Sequence, residues 1–113
     1  MKLTTLPSLP IESVSHNPAI TKKVMLRSGD LPHLTNFSQA YFTPGQVATL
    51  HSHSDMWEVF FVEAGEGRIR IDGNPVPLEV GTCVVVEPGE AHEVSNTGST
   101  TLVLTYLGLK GGS

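Results

Sequence analysis

The sequence predicts an all-β domain, a sandwich or barrel of short strands, and three observations carry that reading. Gly and Pro account for eleven and eight of the 113 residues, and most recur at intervals of about ten residues, which leaves no room for long helices. Pro-Gly and Asp-Gly pairs supply the backbone angles of sharp reversals. Apolar and polar residues alternate between the turns, so that Arg68-Ile69-Arg70-Ile71 can face its isoleucines to a core and its arginines to water. Short strands with a turn signal about every 8 to 12 residues mark a sandwich or barrel.

Taken in order, residues 1–18 carry Pro7, Pro10 and Pro18 and read as an irregular or edge-strand arm, with one β domain over 19–113. Strands are expected over 22–27, 34–42, 47–53, 57–63, 68–72, 83–87, 92–96 and 101–107. Pro44-Gly45 and Pro88-Gly89 fit type II turns, in which proline presets the first central angle and glycine accepts the positive φ of the second. Asp72-Gly73 fits a tight hairpin, and Gly65-Glu66-Gly67 a turn rather than a phosphate loop, since no helix follows it. A helix over 90–107 is the main rival, but Gly98 and the β-branched tail oppose it. The run Trp57-Glu58-Val59-Phe60-Phe61-Val62 is apolar on both faces, so something must cover the second. The candidates are the arm and a second copy of the chain, and the homodimer is the preferred reading.

Composition bounds the function. At 39% hydrophobic and 16% charged residues, the chain has enough apolar content for a core, in one domain. A single Cys excludes an intrachain disulfide and a cysteine-rich zinc site. Seven basic against eleven acidic residues give a net charge of −4. Residues 1–50 carry four basic and two acidic groups, and 51–113 three and nine. Neither half resembles a phosphate-binding surface, so nucleic acid is not an expected partner. Apolar runs such as Val84-Val85-Val86 are far shorter than the roughly 20 residues that span a bilayer. The first residues lack the apolar stretch of a secretory signal, which makes a cytoplasmic address the expectation.

Four side chains stand out: His51, His53, Glu58 and His92. One residue separates the first two, so on a strand both leave the same face about 6 to 7 Å apart. Glu58 has the opposite parity, but the turn-like Ser54-Asp55-Met56 would bring it back on a neighbouring strand facing the same interior. His92 follows the Pro88-Gly89 turn and opens another strand. Imidazole and carboxylate donors suit Fe(II), Mn(II), Ni(II), Co(II) or Zn(II), with positions left open if the ion is octahedral.

Two segments extend the pattern. Residues 45–65 read GQVATLHSHSDMWEVFFVEAG, and 81–96 read GTCVVVEPGEAHEVSN. The first resembles the first cupin motif at every fixed position, namely Gly, five residues, His, one, His, four, Glu, six, Gly. The second is similar to the other cupin motif, with Glu87 standing where proline is usual; Pro88 beside it can supply the restricted φ. The resemblance implies a small single-domain cupin, an all-β double-stranded β-helix or jelly-roll-like barrel, often dimeric. It also implies that His51, His53, Glu58 and His92 bind one divalent metal inside that barrel. Asn96 matches the motif's last position and reads as structural, ending a strand.

Around these four, Phe60 and Val62 share the parity of Glu58 and should line the interior near the metal, as should Val47 and Thr49 by the parity of the histidine pair. Each is equally an ordinary core position, since pockets are themselves largely apolar. Tyr41, Gln46, Met56, Trp57 and Tyr106 are possible rim residues, while Arg68 and Arg70 read as solvent-facing. His16 and His33 fall outside the frame and read as surface loop residues without a role. Cys83 reads as a small buried hydrophobe. The functional expectation is a mononuclear metalloenzyme acting on a small polar substrate, of the dioxygenase, isomerase, lyase or cyclase type that the resemblance suggests. A non-catalytic metal or small-ligand binding module is the alternative.

Overall fold

Among the described residues, alternating apolar residues cut by turns produce ten strands in two antiparallel sheets. The computed structural model describes residues 1–111. After one 3₁₀ turn, Leu6–Ser8, the strands are β1 (Glu12–Val14), β2 (Asn17–Arg27), β3 (Leu34–Phe42), β4 (Val47–His51) and β5 (Met56–Ala64). The remainder are β6 (Gly67–Ile71), β7 (Asn74–Leu78), β8 (Cys83–Val86), β9 (His92–Ser95) and β10 (Leu102–Lys110). One sheet runs β1, β2, β3, β10, β5, β8 and the other β4, β9, β6, β7. The all-β, jelly-roll-like class expected from the sequence is the one adopted.

The sheets face one another across a shared core. Ile20, Phe42, Phe60, Val62, Leu102 and Leu104 reach in from the six-stranded sheet, and Ala48, Ile69, Leu78 and Val94 from the four-stranded one. Packing is close around Gly67, where a Cβ would stand 2.4 Å from the Ser95 carbonyl oxygen and 2.8 Å from Leu102 Cδ2. The expected turns form: Gly45 and Gly89 both take φ of 85°, and Asp72 and Gly73 take 48° and 83°, the two positive angles that a tight hairpin needs.

Several details depart from the sequence expectation. The strand expected over 22–27 begins at Asn17, while the segment expected as an irregular or edge-strand arm does supply an edge strand, β1, paired with β2 through Glu12↔Lys22 and Ser13↔Thr21. β7 was not expected, because Asn74–Leu78 holds Pro75 and Pro77. It is the outer strand of its sheet, where prolines need not donate to a further neighbour. The strand expected over 47–53 stops at His51, and its pairing with β9 shifts register between Ala48 and His51. This bulge inverts the local parity. Ala48 therefore turns inward at 6% exposure, whereas Thr49 is exposed and Val47 half-buried, so those two do not line the interior as expected.

Cys83 is the other correction. It is exposed, opposite Phe61 on β5, and it shares the outer face of edge strand β8 with the half-exposed Val85, while Val86 fills the core. The apolar residues of β5 divide as alternation requires: Glu58, Phe60 and Val62 point inward at 6, 7 and 0% exposure, and Phe61 points out at 39%.

Candidate metal centre

The four expected residues meet at one end of the space between the sheets, brought there by three different devices. β4 delivers His51 just past its bulge, directly paired with His92 at the start of β9. Residues 52–55 then leave the sheet, so His53 reaches the group from the connecting segment and not from strand parity. The chain returns as β5 and presents Glu58 from the opposite sheet. One donor atom from each residue falls in a group whose members all lie within 4.8 Å of one another. Donor bonds of about 2.0–2.2 Å place two atoms on opposite sides of one cation about 4.0–4.4 Å apart, so the observed spread needs only small side-chain adjustment. Three imidazoles and a carboxylate thus form a set positioned to bind a metal.

Hydrogen bonding orients two of the rings. His51 Nδ1 lies 2.7 Å from the Thr49 carbonyl and His92 Nδ1 lies 3.2 Å from the Glu90 carbonyl. A carbonyl only accepts, so Nδ1 carries the hydrogen and, in the neutral ring, Nε2 offers its lone pair to the interior. Glu58 Oε1 sits 2.9 Å from His92 Nε2 and 3.4 Å from His53 Nε2. With His92 neutral and its hydrogen on Nδ1, Glu58 Oε1 and His92 Nε2, both buried, face each other as acceptors, so neither is satisfied until a proton or another cation stands between them. Leaving such atoms unsatisfied is costly, and a cation at their common focus would satisfy both. This fits a metal better than it fits a packed core.

Electrostatics differ from ring to ring. Burial alone would keep His92 neutral, but Glu58 beside it and Glu90 outweigh burial and set its pKa above the ordinary imidazole value. Burial pushes His51 below that value despite the Thr49 carbonyl, with His92 and His16 adding to the depression. His16 is lowered by burial and then by His53.

The ligand group opens into a cavity of about 160 Å³. Its inner wall is apolar, built from Ala40, Phe42, Ala48, Phe60, Val94 and Leu104, and polar groups enter at Ser15, His16, Lys22, Asn36 and Tyr106. Of the expected rim residues, Met56 and Tyr106 line it. Tyr41 instead donates its hydroxyl to Gln39 Oε1, and Gln46 donates through Nε2 to the Ala19 carbonyl. Asn96 is structural, as expected: Nδ2 donates to the carbonyls of Phe42 and Thr100 while Oδ1 accepts from Gly98 N. Arg68 and Arg70 are half-buried on β6.

His33 is an exposed loop residue. His16 is also exposed and in a turn, as expected, but its ring makes a contact at the site that was not expected. It lies in the turn between β1 and β2 and stacks on His51 with ring centroids 3.7 Å apart and planes 13° apart. No local pattern signals this, because its place depends on the β1–β2 hairpin folding back over β4.

Comparison with known proteins adds the following. Residues 39–108 match the family model described as Cupin domain. Over 66 residues the chain is 33% identical to the oxalate-binding protein of Thermotoga maritima, spanning 58% of this chain and 54% of that one. Over 94 residues it is 30% identical to the glucose-6-phosphate isomerase of Thermococcus onnurineus, spanning 72% and 48%. The chain thus spans about half the length of the curated relatives it matches. Its fold superposes with a TM-score of 0.89 on a Thermotoga maritima crystal structure described as a predicted oxalate decarboxylase, at 22% identity and covering 96% of this chain and 99% of that one.

Proposed function

Since the chain belongs to the cupin family, we propose that His51, His53, Glu58 and His92 hold one divalent cation, Fe, Mn, Ni, Co or Zn, and that the cavity beside it takes a small polar ligand. The observation that carries this reading is the convergence of four donor atoms within 4.8 Å, two of them buried and unpartnered. When bound, the cation supplies a Lewis acid with open positions for a chelating ligand. The chain supplies the rest. Thr49 and Glu90 carbonyls fix the His51 and His92 rings, and the apolar wall excludes water around the ligand.

A cavity of about 160 Å³ lies well below the roughly 300 Å³ at which drug-sized pockets begin, which favours a compact ligand. Oxalate is the first candidate, because a relative bears its name and it presents two carboxylates to one cation. Turnover would make the protein a mononuclear metalloenzyme. The largely apolar inner wall favours a second reading, a module that binds such a ligand without converting it. Protein purified without added metal is expected to carry close to one divalent ion per chain by elemental analysis, and to bind oxalate only when loaded. Release of formate from oxalate, or oxygen uptake with small acids and sugars, assigns the enzymatic reading; tight binding without product assigns the module. Protein that neither retains nor takes up any of the five ions rejects the proposal.

We further propose that the protein acts in the cytoplasm and as a homodimer. The outer face of β5 and β8 supports the dimer, since Phe61 and Val85 stand 39% and 50% exposed beside Cys83. Light scattering should give the mass of two chains for the native protein and of one for Phe61→Lys. A monomer in both removes the dimer from the proposal and leaves the metal centre intact.

A further inference from the structure

Of the four expected donors, His51 and His53 are only half-buried, and His51 stands on its strand just past a bulge. Such a ring would be free to swing were it held by its strand alone. It is held instead on three sides. His92 meets one of its faces at a centroid distance of 4.1 Å and an angle of 61°, and the Thr49 carbonyl takes its Nδ1 hydrogen at 2.7 Å. His16 covers a face in parallel stack.

His16 comes from a turn that is itself tied down. Thr49 Oγ1 donates to the His16 carbonyl at 3.2 Å, Asn17 Nδ2 donates to the Val47 carbonyl at 2.9 Å, and Gln46 Nε2 donates to the Ala19 carbonyl at 3.1 Å. These bonds fasten the start of β2 across β4 through side chains. Thr49 serves twice, its hydroxyl holding the turn and its carbonyl holding the His51 ring. The His16 ring centroid is 6.3 Å from that of His53, and His16 is not among the donors that converge within 4.8 Å. Its geometry is that of a clamp on a ligand, not of a further ligand.

We propose that His16 is a positioning residue of the metal centre: the β1–β2 turn straps the mouth, and its imidazole locks His51 by stacking, so that docking of the turn and retention of the cation are coupled. The inference rests on His51 being a metal donor, as proposed above. Outer groups that orient metal-bound histidines are worth about 10- to 100-fold in metal affinity, and the same scale is expected here. The contribution comes from the aromatic face, so a phenyl ring should replace it.

Release of Co(II) from loaded protein to excess chelator tests this. His16→Ala should lose the ion at least about tenfold faster than the native protein, on the scale of such orienting contacts. His16→Phe should release it at close to the native rate, and Asn17→Ala, which loosens the strap without touching the stack, should fall between. An unchanged rate in His16→Ala overturns the proposal, and so does His16→Phe releasing as fast as His16→Ala. A metal-independent readout separates this from failure of the centre itself. In metal-free protein the ring-proton resonances of His51 should carry the ring-current shift of a stacked neighbour, kept in His16→Phe and lost in His16→Ala. Identical His51 resonances in all three overturn the stack, whereas native protein that takes up no Co(II) overturns the metal centre before any variant is made.

Discussion

One pair of facing sheets makes two unlike ends. At one, Leu78 and Leu102 are buried at 1% and 0% exposure; Leu78 pairs with Gly67, and Leu102 closes into the space that a side chain on Gly67 would need. At the other, His92 and Glu58 are buried almost as completely, at 1% and 6%, yet they bring together polar atoms that lack partners. Burial therefore does not distinguish core from site in this molecule. Chemistry does: Leu78 and Leu102 bury apolar side chains against apolar neighbours, whereas the ligand end buries a carboxylate and an imidazole whose Oε1 and Nε2 face each other at 2.9 Å.

The contrast makes a paired prediction, and its stability half is the larger effect. Leu102→Ala should destabilise the fold by about 2–5 kcal/mol, because the transfer term and the cavity left among close-packed neighbours add. Denaturant unfolding measures it, and the metal bound per folded chain should not change. His51→Ala should do the reverse. Losing a donor should weaken cation binding by more than about a hundredfold, beyond what outer-shell changes cost, while the metal-free fold shifts by no more than about 1 kcal/mol at this half-buried position. If His51→Ala unfolds the metal-free protein as readily as Leu102→Ala does, the ligand end is core after all and the contrast fails.

How far each end could be read from sequence follows from the range of the interactions involved. Period-two alternation placed Glu58, Phe60 and Val62 inward, because the irregularity in the pairing of β5 with β10 falls beyond Val62, at Glu63, and parity carries unbroken across the residues before it. The spacing of the four donors survived even though the geometric route did not: His53 lies off the strand, and the bulge after Ala48 inverts the parity that nominated Val47 and Thr49. A bulge is one residue of mispairing with a partner forty positions away, and nothing local to β4 encodes it. Pro75 and Pro77 hid β7 because a local rule against proline in strands is suspended at a sheet edge. Cys83 was misread for a related reason, since an edge strand can leave a small apolar face open. His16 was invisible because its neighbours in space come from a different hairpin.

The border between the two ends can be sharpened through Tyr106, where the smallest effect is expected. Its ring stacks on Phe60 at 5.6 Å and 22°, one inward position along β10 from Leu104 and two from the closed Leu102, and like Leu104 it lines the ligand cavity. Burial pushes its phenol from 10.0 up to about 12, with Glu58 and Glu12 adding to the rise and Ser38 opposing it. The folded state thus holds this proton more tightly than the unfolded chain does. That contribution is complete below about pH 10, where the unfolded phenol is still protonated, and it is lost as the pH rises towards about 12. After allowance for partial solvent access it amounts to about 1–2 kcal/mol. Phenolate absorbance of the native protein should show a late step near the top of that window, absent in Tyr106→Phe, and the native protein should lose stability between those pH values more steeply than the variant. A Tyr106 step at the ordinary value would mean that water from the mouth reaches as far as Phe60, moving the border a full row towards Leu102 and leaving less of the barrel closed than the packing implies.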